Sequence, residues 1–256
     1  MKKLLAAAGA SVCVLGIGLL LPGLASAQDT LSYQATLNPI TANKVTGNGA
    51  SWISVTGTRA EVKIQVNGLL DGAPHAQHIH IDAQGKCPTK PAQHNGLPSI
   101  NVADGAPLYG GIGTSLTNAG DTSPAAALAV ERFPSTGSYT YSRTIELDPT
   151  VVANLKKGTA VLVVHGIDYD NNGKYDGVLG ASELDPSLPA EATDPALCGA
   201  FAPMQMAGVP AGAANTGGGS TANQGHTTEI AVGAAALLAA GGAALVALRR
   251  RPTTQD

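Results

Sequence analysis

The central part of this chain predicts an antiparallel β-sandwich or barrel, and three features of the sequence predict it. Short segments alternate apolar and polar residues, Gly and Pro punctuate them throughout, and long helical periodicity is absent. Residues 28–207, about 180 of them, suffice for one domain with a real core.

The elements follow in chain order. Residues 31–39 and 50–57 are expected to be strands. In "AEVKIQVNG", Val62, Ile64 and Val66 share one face, and Glu61, Lys63 and Gln65 share the other. In "SYTYSRTIEL", Tyr139, Tyr141, Ile145 and Leu147 oppose Thr140, Ser142, Thr144 and Glu146. "DPTVVANLKKG" is the one segment that looks helical, with Asp148 as cap, Pro149 at the first position and Gly158 as stop. "TAVLVVHGI" is apolar throughout and predicts a buried strand. Two long stretches, Asp82 to about Pro98 and Asp168 to about Leu197, resist strand assignment. Loops of such length in a domain are functional or pinned by something.

The two ends predict export and a tether. Lys2 and Lys3, the apolar run Leu4 to Leu21 and the small residues Ala25-Ser26-Ala27 make residues 1–27 a secretory signal peptide. Residues 208–228 have the Gly, Ala, Thr, Asn and Ser composition of a flexible linker. Ile230 to Leu248 is uncharged and would span roughly 28 Å as a helix, near the thickness of a hydrocarbon core. Arg249, Arg250 and Arg251 follow at once. Residues 229–251 are therefore expected to form a single membrane span and its basic flank, with residues 252–256 a cytoplasmic tail. The domain would then lie outside the cytoplasm, anchored to the cell membrane. The net charge of −3 and the lack of a basic stripe exclude a nucleic-acid partner.

Outside the cytoplasm cysteines pair. Cys13 leaves with the signal peptide, so Cys87 and Cys198 are expected to form a disulfide that ties the two long loops together.

The chemistry-bearing residues are histidines and acids. His75, His78 and His80 obey H-x-x-H-x-H, His94 lies just past Cys87, and His165 ends the apolar strand. His78 and His80, two apart on a strand, leave the same face. Imidazole suits copper and zinc; the pair is either part of a metal site or two strand histidines bonded to neighbouring carbonyls. In "DYDNNGKYD", Asp168, Asp170, Asn172 and Asp176 match positions 1, 3, 5 and 9 of a calcium loop, with Gly173 at the turn. Leu179 stands where the loop wants a bidentate Glu, and Glu183 or Asp185 is the nearby substitute. The other reading is a solvated Asx-turn.

The run "GLLDGAPHAQHIH", then Cys87, His94-Asn95, "LVVHG" and Cys198-Gly199, resembles the copper/zinc superoxide dismutases over roughly residues 60–200. That resemblance implies a Greek-key sandwich and copper held by His78, His80, His94 and His165. It makes His94 the bridging ligand that exchanges a proton in catalysis, His75 a residue that orders the site, and superoxide, a small anion, the substrate. Zinc is not expected, because no histidine follows His94 until His165. Pro195 stands where the family has its anion-steering arginine, and neither Arg132 nor Arg143 is placed at the site by sequence. "HIHID" also resembles the CHRD domain, which implies a non-enzymatic cell-surface module whose histidines are packing residues. Copper sequestration without turnover lies between these two.

Overall fold

Alternation of apolar and polar side chains builds the first half of the sheet. In the computed structural model, which describes residues 29–204, β1 (Thr30–Pro39), β2 (Asn48–Thr56) and β3 (Arg59–Asn67) run as successive antiparallel hairpins. Val62, Ile64 and Val66 are buried while Glu61, Lys63 and Gln65 face out, as their period of two dictates.

The chain then crosses to β4 (Gln77–Ile81), makes a short hairpin of β5 (Ala92–His94) and β6 (Leu97–Ser99), and enters helix α1 (Val102–Tyr109). After β7 (Gly111–Ser115) it returns as β8 (Tyr139–Glu146) beside β3, turns through helix α2 (Pro149–Lys157) and crosses back as β9 (Val161–His165). The single-turn helix α3 (Ala190–Thr193) leads into β10 (Pro195–Ala200), and β11 (Ala202–Pro203) pairs with β1. The strand order β7-β4-β9-β10-β1-β2-β3-β8 is that of one curled antiparallel sheet. Strand β1 joins its halves, pairing along its length with β2 and at Asn38 and Pro39 with Cys198 and Leu197 of β10. The chain crosses between the two halves from β3 to β4, from β7 to β8 and from β8 to β9.

In the second half, β7-β4-β9-β10, the central strands β4 and β9 are buried at every position. Ile79, Ile81, Leu162 and Val164 join the main core on one side. Val161 and Val163 point the other way, into a smaller cluster with Ile40, Ile100, Tyr109 and Cys198. This is why β9 is apolar at every position until it reaches His165.

Helix α2 forms where its caps place it: Asp148 Oδ1 accepts from Thr150 N (2.8 Å), and Gly158 takes the left-handed conformation that ends it. Helix α1 corrects the expectation of a single helix. Gly105 and Pro107 lower its propensity, yet a capping box starts it. Asn101 Oδ1 accepts from Asp104 N (2.9 Å), and Asp104 Oδ2 from Asn101 N (3.0 Å). The stretch Asp82–Pro98 is also not free of strands. Asn95 and Gly96, both at positive φ, turn β5 into β6 in the manner of an Asn-Gly hairpin.

Cys87 and Cys198 form a disulfide with Cα atoms 5.8 Å apart, pinning the first long loop to β10. The bond closes 111 residues of chain, and a loop of that size lowers the entropy of the unfolded state by an amount worth roughly 4–5 kcal/mol. Cys87→Ser, Cys198→Ser and the double variant should therefore lower the melting temperature equally. Additive losses in the double variant would show that the two do not act as a pair.

The signal segment, the linker and the membrane span expected at 229–251 lie outside the described residues. Among the described residues no helix is long and apolar enough to cross a membrane.

Candidate metal centre

Strands β4 and β9 are neighbours, with His78 opposite Val163 and His80 opposite Val161. His165 N donates to Ala76 O (2.7 Å), which continues the ladder and sets His165 diagonally from His78. Alternation then turns all three imidazoles to the face away from the main core. A bulge between Ile79 and His80 in the β4–β7 pairing leaves Gly113 as the extra residue. The ring centroids of His78, His80 and His165 lie 5.2–5.9 Å apart. One nitrogen of each falls within 4.8 Å of the other two.

The outer nitrogens fix the tautomers. His78 Nε2–H donates to Ala127 O (3.2 Å), His80 Nδ1–H to Gly110 O (2.9 Å) and His165 Nδ1–H to Thr193 O (2.7 Å). A carbonyl only accepts, so each bond leaves the other ring nitrogen with a free lone pair. Those nitrogens, His78 Nδ1, His80 Nε2 and His165 Nε2, are buried and have no hydrogen-bond partner. Burial holds the rings neutral. It pushes His80 down to about 3, helped by the His165 charge, and His165 down to about 4. His78 is lowered well below the usual imidazole range by burial and then by its two neighbours. Three neutral imidazoles with converging lone pairs and backbone-bonded outer nitrogens are a donor set suited to a first-row transition metal.

His75 backs this site from beneath. Its Nε2 donates to Leu70 O (2.8 Å), and its Nδ1 lies 3.1 Å from both the Tyr175 hydroxyl and His165 O. Gly166, at φ +98°, lets the chain pass this cluster; a Cβ there would meet the Tyr175 hydroxyl.

His94 is not brought into the trio. The β5–β6 hairpin carries it to α1, where its Nε2 meets Asp104 Oδ2 at 2.6 Å. Neither arginine that sequence left unplaced reaches the histidines. Arg143 donates to Thr117 O and Gly120 O, and Arg132 lies beside Glu131. Pro195 is buried opposite His165. Its neighbour Asp194 was not singled out by sequence. Both its carboxylate oxygens are buried without a partner, and burial, then Glu183, Asp104 and Glu191, push its pKa up to about 8.

The acidic loop is ordered by its own side chains. Asp168 accepts from the backbone of Asn172 and Gly173, and the Asn172 amide donates to Asp170 (3.0 Å) and Asp176 (2.6 Å). Carboxylate oxygens of Asp168, Asp170 and Glu191 come within 4.8 Å of one another. Glu191, fully buried, accepts from Tyr169 N (2.7 Å) and Asp176 N (2.6 Å). The substitutes read from sequence go elsewhere: Glu183 accepts from Ala103 N, and Asp185 from Ser187. Glu191 lies on the turn that ends the loop, which no loop spacing reveals.

No protein-family model matches this chain, and no curated protein matches it. Among solved structures it is similar to superoxide dismutase 5 of Candida albicans, copper(II) form. The identity is 15% over 72% of this chain and 98% of that one, with a TM-score of 0.38.

Proposed function

We propose that this chain is an extracytoplasmic copper-binding protein that holds one copper through His78 Nδ1, His80 Nε2 and His165 Nε2. Two observations on the same three side chains carry the reading: each buried neutral imidazole keeps one unsatisfied nitrogen, and one ring nitrogen of each lies within 4.8 Å of the other two. Buried polar atoms are normally paired, and a cation completes all three at once. Among divalent first-row ions, copper binds a nitrogen set most tightly. The disulfide supports an oxidising compartment; the anchor at 229–251 rests on the sequence.

Copper, when bound, supplies one-electron redox chemistry, and superoxide dismutation is the reaction we propose for it. The chain's own residues hold the ion and keep their tautomers through Ala127, Gly110 and Thr193. No Lys or Arg among the described residues lines the cavity over the histidines. Fixed-charge steering is worth roughly 10- to 1000-fold in on-rate, so turnover should be slow for this chemistry. Metal analysis after refolding with copper should find one copper per chain, with dismutase activity measurable and well below the diffusion limit. A protein that takes up no copper refutes the reading; one running near the limit refutes the account of steering.

The acidic loop is proposed as a calcium site closed by Glu191 in place of the carboxylate that Leu179 does not supply. Millimolar calcium should raise the melting temperature through preferential binding to the folded state, and Asp168→Ala or Asp170→Ala should abolish the rise. An unchanged melting curve would leave the loop a self-bonded turn.

A further inference from the structure

The three histidines form the floor of a cavity of about 210 Å³. Its walls are apolar and come from separate parts of the chain: Val102 at the start of α1, Ile112 on β7, Leu128 and Val130 between β7 and β8, and Leu184 in the second long loop. Leu128 and Leu184 are 39% and 45% exposed, and with Met204 they are the exposed large apolar residues among those described. Two of the three therefore stand at one mouth. Apolar side chains held at the surface around a polar floor are the ordinary anatomy of a small-molecule site.

We infer that this cavity binds a small neutral molecule carrying one apolar ring. Size sets the scale, because an apolar cavity of about 150 Å³ accommodates benzene, and about 210 Å³ holds one ring and a small substituent. Charge sets the class. An anion entering between Leu128 and Leu184 gives up water to walls that offer no cation, whereas an apolar ring gains by the same burial. The inference rests on the copper reading for what the ring would meet at the floor, and not for the walls.

The test uses the full-length protein in metal-free form, so that no bound ion draws in an anion. Toluene should raise the melting temperature, and benzoate, the same ring with a charge, should not. Leu128→Asp and Leu184→Asp, at positions exposed enough to keep the fold, should each weaken toluene binding by about tenfold. Benzoate matching toluene, no effect of toluene, or wall variants that bind toluene as before would overturn the inference. Copper counted on the same preparations separates the two readings. Toluene binding as expected without copper uptake sustains the cavity and sinks the metal, and the reverse result does the opposite.

Discussion

His165→Ala and His78→Ala should each abolish copper uptake, whereas His94→Ala should leave it intact. Each of the first two removes one of three converging nitrogens, and losing even an outer-shell partner of a metal ligand costs 10- to 100-fold in affinity, at about that order. Nε2 of His94 is engaged by Asp104 instead. The cleanest readout is thermal. Copper in about thousandfold excess over its dissociation constant adds about 4 kcal/mol to the folded state, a rise of roughly 10 °C for a domain of this size. That rise should vanish in His165→Ala and His78→Ala and persist in His94→Ala. Copper-dependent stabilisation that survives in His165→Ala would place the ion elsewhere.

The metal-free protein should lose stability steeply in mild acid. Burial lowers the pKa of His75, His78, His80 and His165 below the unfolded value of 6.5. Below that pH the unfolded chain takes protons that the folded chain refuses. The contribution of these histidines is thus complete above pH 6.5 and is lost as pH falls toward about 4, where His165 charges. Asp194 works in the opposite sense. Its pKa, raised to about 8, lets the folded state keep a proton that the unfolded carboxylate has released, so its contribution is complete below about pH 4 and is lost as pH rises to about 8. The three strongly lowered imidazoles, His78, His80 and His165, outweigh the single carboxyl proton, and each net proton is worth about 1.4 kcal/mol per pH unit. Since whole domains are stable by only about 5–15 kcal/mol, a large share of the stability is expected to be lost between about pH 6.5 and 4.5. Copper should move it lower, because the ion competes with protons for the same nitrogens. Urea unfolding measured from pH 7 to 4.5 would sink this account if stability stayed flat.

What the chain's order alone determined is what depends on a few adjacent residues. Alternation placed β3 and β8, the caps Asp148 and Gly158 bounded α2, and continuous apolarity marked β9 as buried on both sides. The disulfide was legible because only Cys87 and Cys198 lie beyond the apolar N-terminal run. His78 and His80 share a face by the period of a strand. Their meeting with His165 was readable only through resemblance to a family with the same landmarks, since the register of β4 against β9 belongs to neither strand alone.

Tertiary structure decided the rest. The family resemblance made His94 a fourth ligand. Its place depends on an Asn-Gly hairpin and on Asp104, in a helix whose Gly105 and Pro107 hid it. Glu191 closes the acidic loop from a turn that no spacing within the loop specifies. The cavity walls arrive from segments far apart in the chain, each carrying one or two apolar residues too few to read as a pattern. Local periodicity and capping act over a handful of residues and survive in the sequence. Convergence of distant side chains is set by strand register, loop path and burial together, and it exists only once the chain has folded.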